Sequence, residues 1–111
     1  MQPRHVLIVH DEPLITRALQ RLLRDHHVVI ASTAAEAIAC AALQAFDVAI
    51  YDLNLRDGSG LDAARHVTAR RRVLMSGSVL EGPAAVALEA EGFLWLPKPF
   101  HRDDLASIMA A

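Results

Sequence analysis

Val6-Leu7-Ile8-Val9-His10-Asp11-Glu12-Pro13 is the stretch that decides the fold. Four consecutive apolar residues suit a strand covered on both faces, as strands of parallel sheets are. The run stops in charged residues and a proline, which fits the first turn of a helix: proline presets the helical φ, and its missing N–H has no partner there anyway. Leu14, Ile15, Ala18, Leu19, Leu22 and Leu23 then recur at helical spacing, with Arg17, Gln20, Arg21 and Arg24 on the opposite side. A buried strand feeding an amphipathic helix is the first half of a parallel β-α-β unit.

The pattern repeats down the chain. Asp25-His26-His27 forms a turn and Val28-Val29-Ile30-Ala31 a second strand. Thr33 and Glu36 have capping-box spacing, and Ala37, Ile38, Ala41, Ala42 and Ala45 give the next helix a side of small residues for close packing. Val48-Ala49-Ile50-Tyr51 is a third strand that runs into a loop of turn-forming residues, 52–60. A short helix follows from about Leu61 to Ala69, and Arg70-Arg71-Arg72 reads as a solvated turn before strand four, Val73-Leu74-Met75, which ends at Ser76-Gly77. Pro83 opens a helix that Gly92 stops. Phe93-Leu94-Trp95-Leu96 is strand five, Pro97-Lys98-Pro99-Phe100 turns the chain, and Asp103-Asp104 starts a last helix with Leu105, Ile108 and Met109 on one side. Five β-α repeats predict one α/β domain over residues 1–111, a doubly wound parallel sheet with right-handed crossovers.

Composition sets limits on function. A chain of 111 residues with 53% hydrophobic and 22% charged residues suits one folded domain. A net charge of −2 argues against a nucleic-acid or membrane surface as the main partner. No stretch has the length of a membrane span and the first residues lack a signal-peptide apolar region, so the expected location is the cytoplasm. Cys40, the single cysteine, reads as a small buried filler. Of the eleven basic residues only Lys98 is a lysine.

In an open parallel sheet, ligands bind beyond the carboxyl ends of the strands. Strand one delivers Asp11 there, flanked by His10 and Glu12; strand three delivers Asp52, strand four Ser76 and strand five Lys98. Each alone is an ordinary loop-end polar residue: a cap, a turn former, a strand terminator, a solvated charge. Together they make an acidic pair able to hold a hard divalent cation, magnesium with retained waters, beside a hydroxyl and an ammonium able to grip a phosphoryl group. The implied chemistry is attack of a carboxylate on phosphorus to give an acyl phosphate, with lysine as a compact neutralising charge.

The motifs VLIVHDEP (6–13), DVAIYDLNLRDGSGLD (47–62), VLMSG (73–77) and LPKPF (96–100) resemble, in order and over essentially the whole chain, the CheY-like receiver domain of bacterial response regulators. The resemblance implies the flavodoxin-like strand order 2-1-3-4-5. It also implies Asp52 as phosphoacceptor, and Asp11, Asp52 and the backbone carbonyl of Asn54 as magnesium ligands. Ser76 would hydrogen-bond the phosphoryl group, Lys98 would pair with it, and the Lys98–Pro99 peptide would be cis. Trp95 stands at the family's switching aromatic, moving together with Ser76, although a plain core or edge aromatic is an equal reading of the residue itself. The implied partners are a sensor histidine kinase or phosphotransfer protein and a downstream protein of unspecified identity. A homodimer through the face of the fourth helix, fifth strand and fifth helix is a further implication. No DNA-binding helix-turn-helix or catalytic output is expected within these residues.

The chain departs from the family pattern at His10, where the first metal-site acid usually stands. A neutral imidazole is a poor magnesium ligand, so reduced magnesium affinity and weaker or more pH-sensitive phosphorylation are expected, with Glu12 a partial substitute. A transition-metal role for His10 is the lesser reading beside a plain hydrogen bond. Arg56 stands where a proline is common, and the stretch from Asp52 to Ser76 is shorter than usual. The rival to a phosphorylated switch is a degenerate receiver, an interaction module that works without phosphate. A free-standing phosphatase or flavin carrier would need a further general acid or a flavin loop, and neither is visible.

Overall fold

The computed structural model describes residues 2–53, 55, 60–76 and 82–110. Its elements follow the expected alternation: β1 (His5–Val9), α1 (Pro13–Leu22), β2 (His27–Ala31), α2 (Ala34–Leu43), β3 (Phe46–Asp52), α3 (Gly60–His66), β4 (Ala69–Ser76), α4 (Pro83–Ala90), β5 (Phe93–Pro97) and α5 (Arg102–Ala110). The five strands form one parallel sheet in the order β2-β1-β3-β4-β5. Each central strand alternates its side chains between two buried layers, which is why its sequence is a continuous apolar run. Leu7, Val9, Ala49, Tyr51 and Leu74 point to the layer covered by α2, α3 and α4. Val6, Ile8, Val48, Ile50, Val73 and Met75 point to the layer under α1 and α5, where Leu19, Leu23, Leu105, Ile108 and Met109 meet them.

Local signals set the helix ends. Pro13 is the first residue of α1, behind an extended Glu12. At α2 the Glu36 N–H donates to Thr33 Oγ1 at 3.1 Å, while the Glu36 carboxylate accepts from the Ser32 N–H at 2.7 Å. Thr33→Ala leaves one helix-end N–H without its acceptor and should cost about 1 kcal/mol. Thermal unfolding followed by circular dichroism should show this as a midpoint lowered by roughly 4–8 °C. Gly92 closes α4 with φ of +90°, a left-handed conformation that glycine adopts without a Cβ penalty.

Four expectations need correction. The inward face of α1 is Ile15, Thr16, Leu19 and Leu23, whereas Leu14, at 73% exposure, and Ala18 and Leu22 face outward. Thr16 tolerates burial because its hydroxyl donates to the Pro13 carbonyl at 3.1 Å. In α2 the inward residues are Ala34, Ala37, Cys40 and Ala41; Ile38 and Ala42 are exposed, and Ala45 lies beyond the helix. Cys40 is half-buried rather than buried.

The fourth correction concerns the three arginines. They are no turn: α3 ends at His66, and β4 begins at Ala69, pairing Val48 with Arg71 and Ala49 with Arg72. The stems of Arg71 and Arg72 lie along the sheet while their charged ends reach polar partners. Arg71 donates to the Ile108 carbonyl; Arg72 donates to the Glu91 carbonyl and sits 4.2 Å from the centre of the Phe93 ring. Strand edges drawn from apolar residues alone therefore miss the first half of β4.

Candidate functional site

Strand register assembles the site. Val9 pairs with Tyr51, Asp52 with Met75, Met75 with Leu96 and Ser76 with Pro97, so four strands end abreast. The ladder continues one step past these ends. The His10 N–H donates to the Ala31 carbonyl at 3.0 Å, Leu53 N–H to Met75 at 3.1 Å, and Lys98 N–H to Ser76 at 3.0 Å. Residues from four distant parts of the chain are thereby fixed by backbone hydrogen bonds before any side chain is considered.

Asp52 closes β3 and is 2% exposed. Lys98 Nζ donates to its Oδ1 at 2.8 Å, across 46 residues of sequence. The Lys98–Pro99 peptide is cis, as the resemblance implies. Ser76 ends β4, half-buried. Trp95 is half-buried on β5, opposite Leu74 and packed on the layer that contains Tyr51 and Leu88. Asn54 and Arg56 lie outside the described residues.

His10 is 2% exposed. Its Nδ1 accepts the backbone N–H of Glu12 at 3.1 Å and lies 3.9 Å from Asp11 Oδ1; its Nε2 lies 3.5 Å from Asp52 Oδ2. Burial pushes the imidazole pKa below its ordinary value, against the pull of the Asp52 carboxylate. Lys98 adds to the downward shift, and Asp11 and Glu12 oppose it. An Nδ1 that accepts a backbone N–H carries no proton, so the ring is neutral in this arrangement and its approach to Asp52 is no ion pair. The Glu12 side chain is exposed; what this residue supplies to the site is its backbone N–H.

His10, Asp11 and Asp52 present ligand atoms within 4.8 Å of one another, the one such group among the described residues. The two carboxylates suit a hard cation, which prefers oxygen ligands; an imidazole whose Nδ1 is already engaged does not. His26 and His27 lie at the opposite ends of the strands, where His26 Nδ1 accepts from the Arg4 N–H at 3.0 Å and His27 stacks on His5. His101 precedes α5, its N–H donating to Asp104 at 2.7 Å, and is not in the group.

Gly60, read from sequence only as a turn former, belongs to the site. It opens α3, and a Cβ on it would lie 2.1 Å from the Asp52 carbonyl oxygen and 3.1 Å from the Leu53 Cα. The helix start is thus pressed against the backbone that carries Asp52. The sequence signal is a glycine at the loop-to-helix junction, where φ alone does not call for one.

The model for the response regulator receiver domain matches residues 6–110. The chain belongs to this family. Among curated relatives, the receiver is 38% identical over 112 residues to the transcriptional regulatory protein KdpE of Mycobacterium tuberculosis, covering 96% of this chain and 50% of KdpE. It is 32% identical to the acid tolerance regulatory protein ActR of Rhizobium meliloti, over 96% of this chain and 58% of ActR. The chain therefore spans about half the length of these relatives. Among solved structures, the receiver superposes on the chemotaxis response regulator CheY4 of Vibrio cholerae with a TM-score of 0.82 at 25% identity, over 98% of both chains. The fold also matches the receiver domain of the Pseudomonas aeruginosa sensor histidine kinase PA1611, which has a magnesium ion in its active-site cleft (TM-score 0.76, 23% identity, 96% and 94% coverage). The receiver is a module of two-component response regulators, and the expected strand order 2-1-3-4-5 is the observed one. No helix among the described residues is long and apolar enough to cross a membrane.

Proposed function

We propose that this receiver takes a phosphoryl group onto Asp52 from a phosphohistidine of a sensor kinase or phosphotransfer protein. The observation that carries this reading is the Lys98 ammonium held 2.8 Å from the Asp52 carboxylate at the shared carboxyl edge of the sheet. A carboxylate oxygen of Asp52 attacks phosphorus. The O–P bond forms as the P–N bond to the donor imidazole breaks, and the departing nitrogen keeps the electron pair and takes a proton from water. Lys98 neutralises charge on the transferring oxygens and the Ser76 hydroxyl donates to one of them. Asp11, Asp52 and the carbonyl of Asn54 would hold magnesium, which when bound supplies further neutralisation of the phosphoryl oxygens. Water attacking the same phosphorus reverses the modification, so the chemistry is self-directed.

Occupation of Asp52 places new oxygens beside Ser76 and Lys98, at the ends of β4 and β5. Trp95, on β5 three residues before Lys98, is in position to report or transmit that change to the α4–β5 surface. The output is a change of protein contacts.

Intact mass after incubation with magnesium and acetyl phosphate tests the reading. Wild type should gain one phosphoryl group and Asp52→Asn none. No gain on the wild type, with saturating magnesium and a partner kinase, would favour the degenerate receiver.

A further inference from the structure

The His10 ring is held in one tautomer by the backbone. Neutral imidazole has one N–H and one lone pair. The Glu12 N–H donates to Nδ1, which uses the lone pair and leaves the proton on Nε2. Nε2 is in turn the one buried side-chain nitrogen or oxygen without a hydrogen-bond partner among the described residues. It faces the site, 3.5 Å from Asp52 Oδ2. Leaving a buried donor unpartnered is costly, so the position calls for an acceptor that arrives from outside.

The chemistry of the donor narrows what arrives. An Nε2 that bears hydrogen has no lone pair for a cation, so direct ligation is closed in this tautomer. A water on a cation is itself a strong donor toward its surroundings, and two donors facing each other do not bond. An oxyanion fits. The oxyanion that the reading of Asp52 brings to this place is the phosphoryl group.

We propose that His10 Nε2–H is a fixed hydrogen-bond donor to the phosphoryl oxygens on Asp52, a role that rests on Asp52 being the acceptor. It joins the Lys98 ammonium in stabilising the group from the β1 side. The site thus exchanges an acid that would strengthen a cation's hold for a donor that acts on phosphate directly. Transfer onto Asp52 then depends on a proton donor at position 10, while cation affinity depends only on charge there.

Two measurements on the full chain test this. The first is the 15N spectrum of the His10 imidazole in the unmodified protein. Nε2 should carry the proton and Nδ1 should not; the opposite tautomer would overturn the proposal. The second is a time course of phosphoryl uptake from acetyl phosphate at saturating magnesium, read by intact mass. His10→Gln places an amide N–H near the position of Nε2 and should keep most of the rate; His10→Leu should lose about tenfold to a hundredfold. Calorimetric titration with magnesium chloride should give both variants wild-type affinity, because none of the three carries charge at position 10. His10→Asp should bind magnesium about ten- to a hundredfold more tightly. Equal uptake by the Leu and Gln variants overturns the proposal and leaves Asp52 as acceptor intact. No uptake by the wild type overturns the acceptor reading, and this inference with it. Should His10→Leu fail to fold by circular dichroism, His10→Asn replaces it, since the shorter amide does not reach the place of Nε2.

Discussion

Lys98→Ala is expected to slow phosphoryl uptake from acetyl phosphate about 10²- to 10³-fold, the range seen when a preorganised donor to a developing oxyanion is removed. Lys98 Nζ donates to Asp52 Oδ1 at 2.8 Å, and the backbone it extends from is tied by the Lys98 N–H to the Ser76 carbonyl at 3.0 Å. The charge is therefore in place before the donor arrives, so none of its effect is lost in reorganisation. Lys98→Arg should not restore the rate: a planar guanidinium spreads its charge and needs more room than an ammonium in a half-buried position. Intact mass against time, at fixed magnesium and donor, makes the comparison. Uptake by Lys98→Ala at the wild-type rate would remove Lys98 from the mechanism.

Gly60→Ala should damage stability and chemistry together. The added methyl would lie 2.1 Å from the Asp52 carbonyl oxygen, and that oxygen is backbone at the end of a strand paired on both sides. Neither neighbour can rotate away, so α3 must shift or the end of β3 must bend. Overpacking of this kind costs about 1–3 kcal/mol, and for a chain of this size each kcal/mol lowers the melting midpoint by roughly 4–8 °C. The chemical effect follows from position: if β3 bends, Asp52 moves relative to Lys98, and uptake should fall even at temperatures where the variant is fully folded. A variant with a wild-type midpoint and uptake would show that α3 adjusts without disturbing the strand.

The fold was legible because the central strands are apolar on both faces. Val6–Val9 and Val48–Tyr51 are apolar at every position, as strands covered on both faces are, and each stops at the polar residue that marks the sheet edge. The candidate site was legible for the same reason, since a strand's end also fixes where its next residue stands. What escaped depends on three-dimensional phase and on atoms that sequence does not distinguish. Helical spacing in α1 allowed two adjacent stripes, and Thr16 lies within the buried one because its hydroxyl finds the Pro13 carbonyl. The start of β4 was hidden by Arg70, Arg71 and Arg72, whose charges suggest solvent although the stems of Arg71 and Arg72 are half-buried. At His10 the substitution was plain in the sequence, but the tautomer was not: it is set by the backbone N–H of Glu12, which no side-chain pattern reveals.

The register that aligns the strand ends also dates the site within the life of the chain. Asp11 follows β1 and Asp52 closes β3, whereas the cation that faces Asp52 is Lys98, which follows β5. Parallel pairing cannot close locally; each new strand must wait for its crossover helix, and β5 joins at the outer side of β4. A sheet assembled only as far as β4 would lack the Lys98 ammonium opposite Asp52. The contact between Lys98 and Asp52 exists only once the last strand has docked. The paired charges at the strand ends are in this sense the signature of a completed sheet: they meet only where β5 has taken its place beside β4.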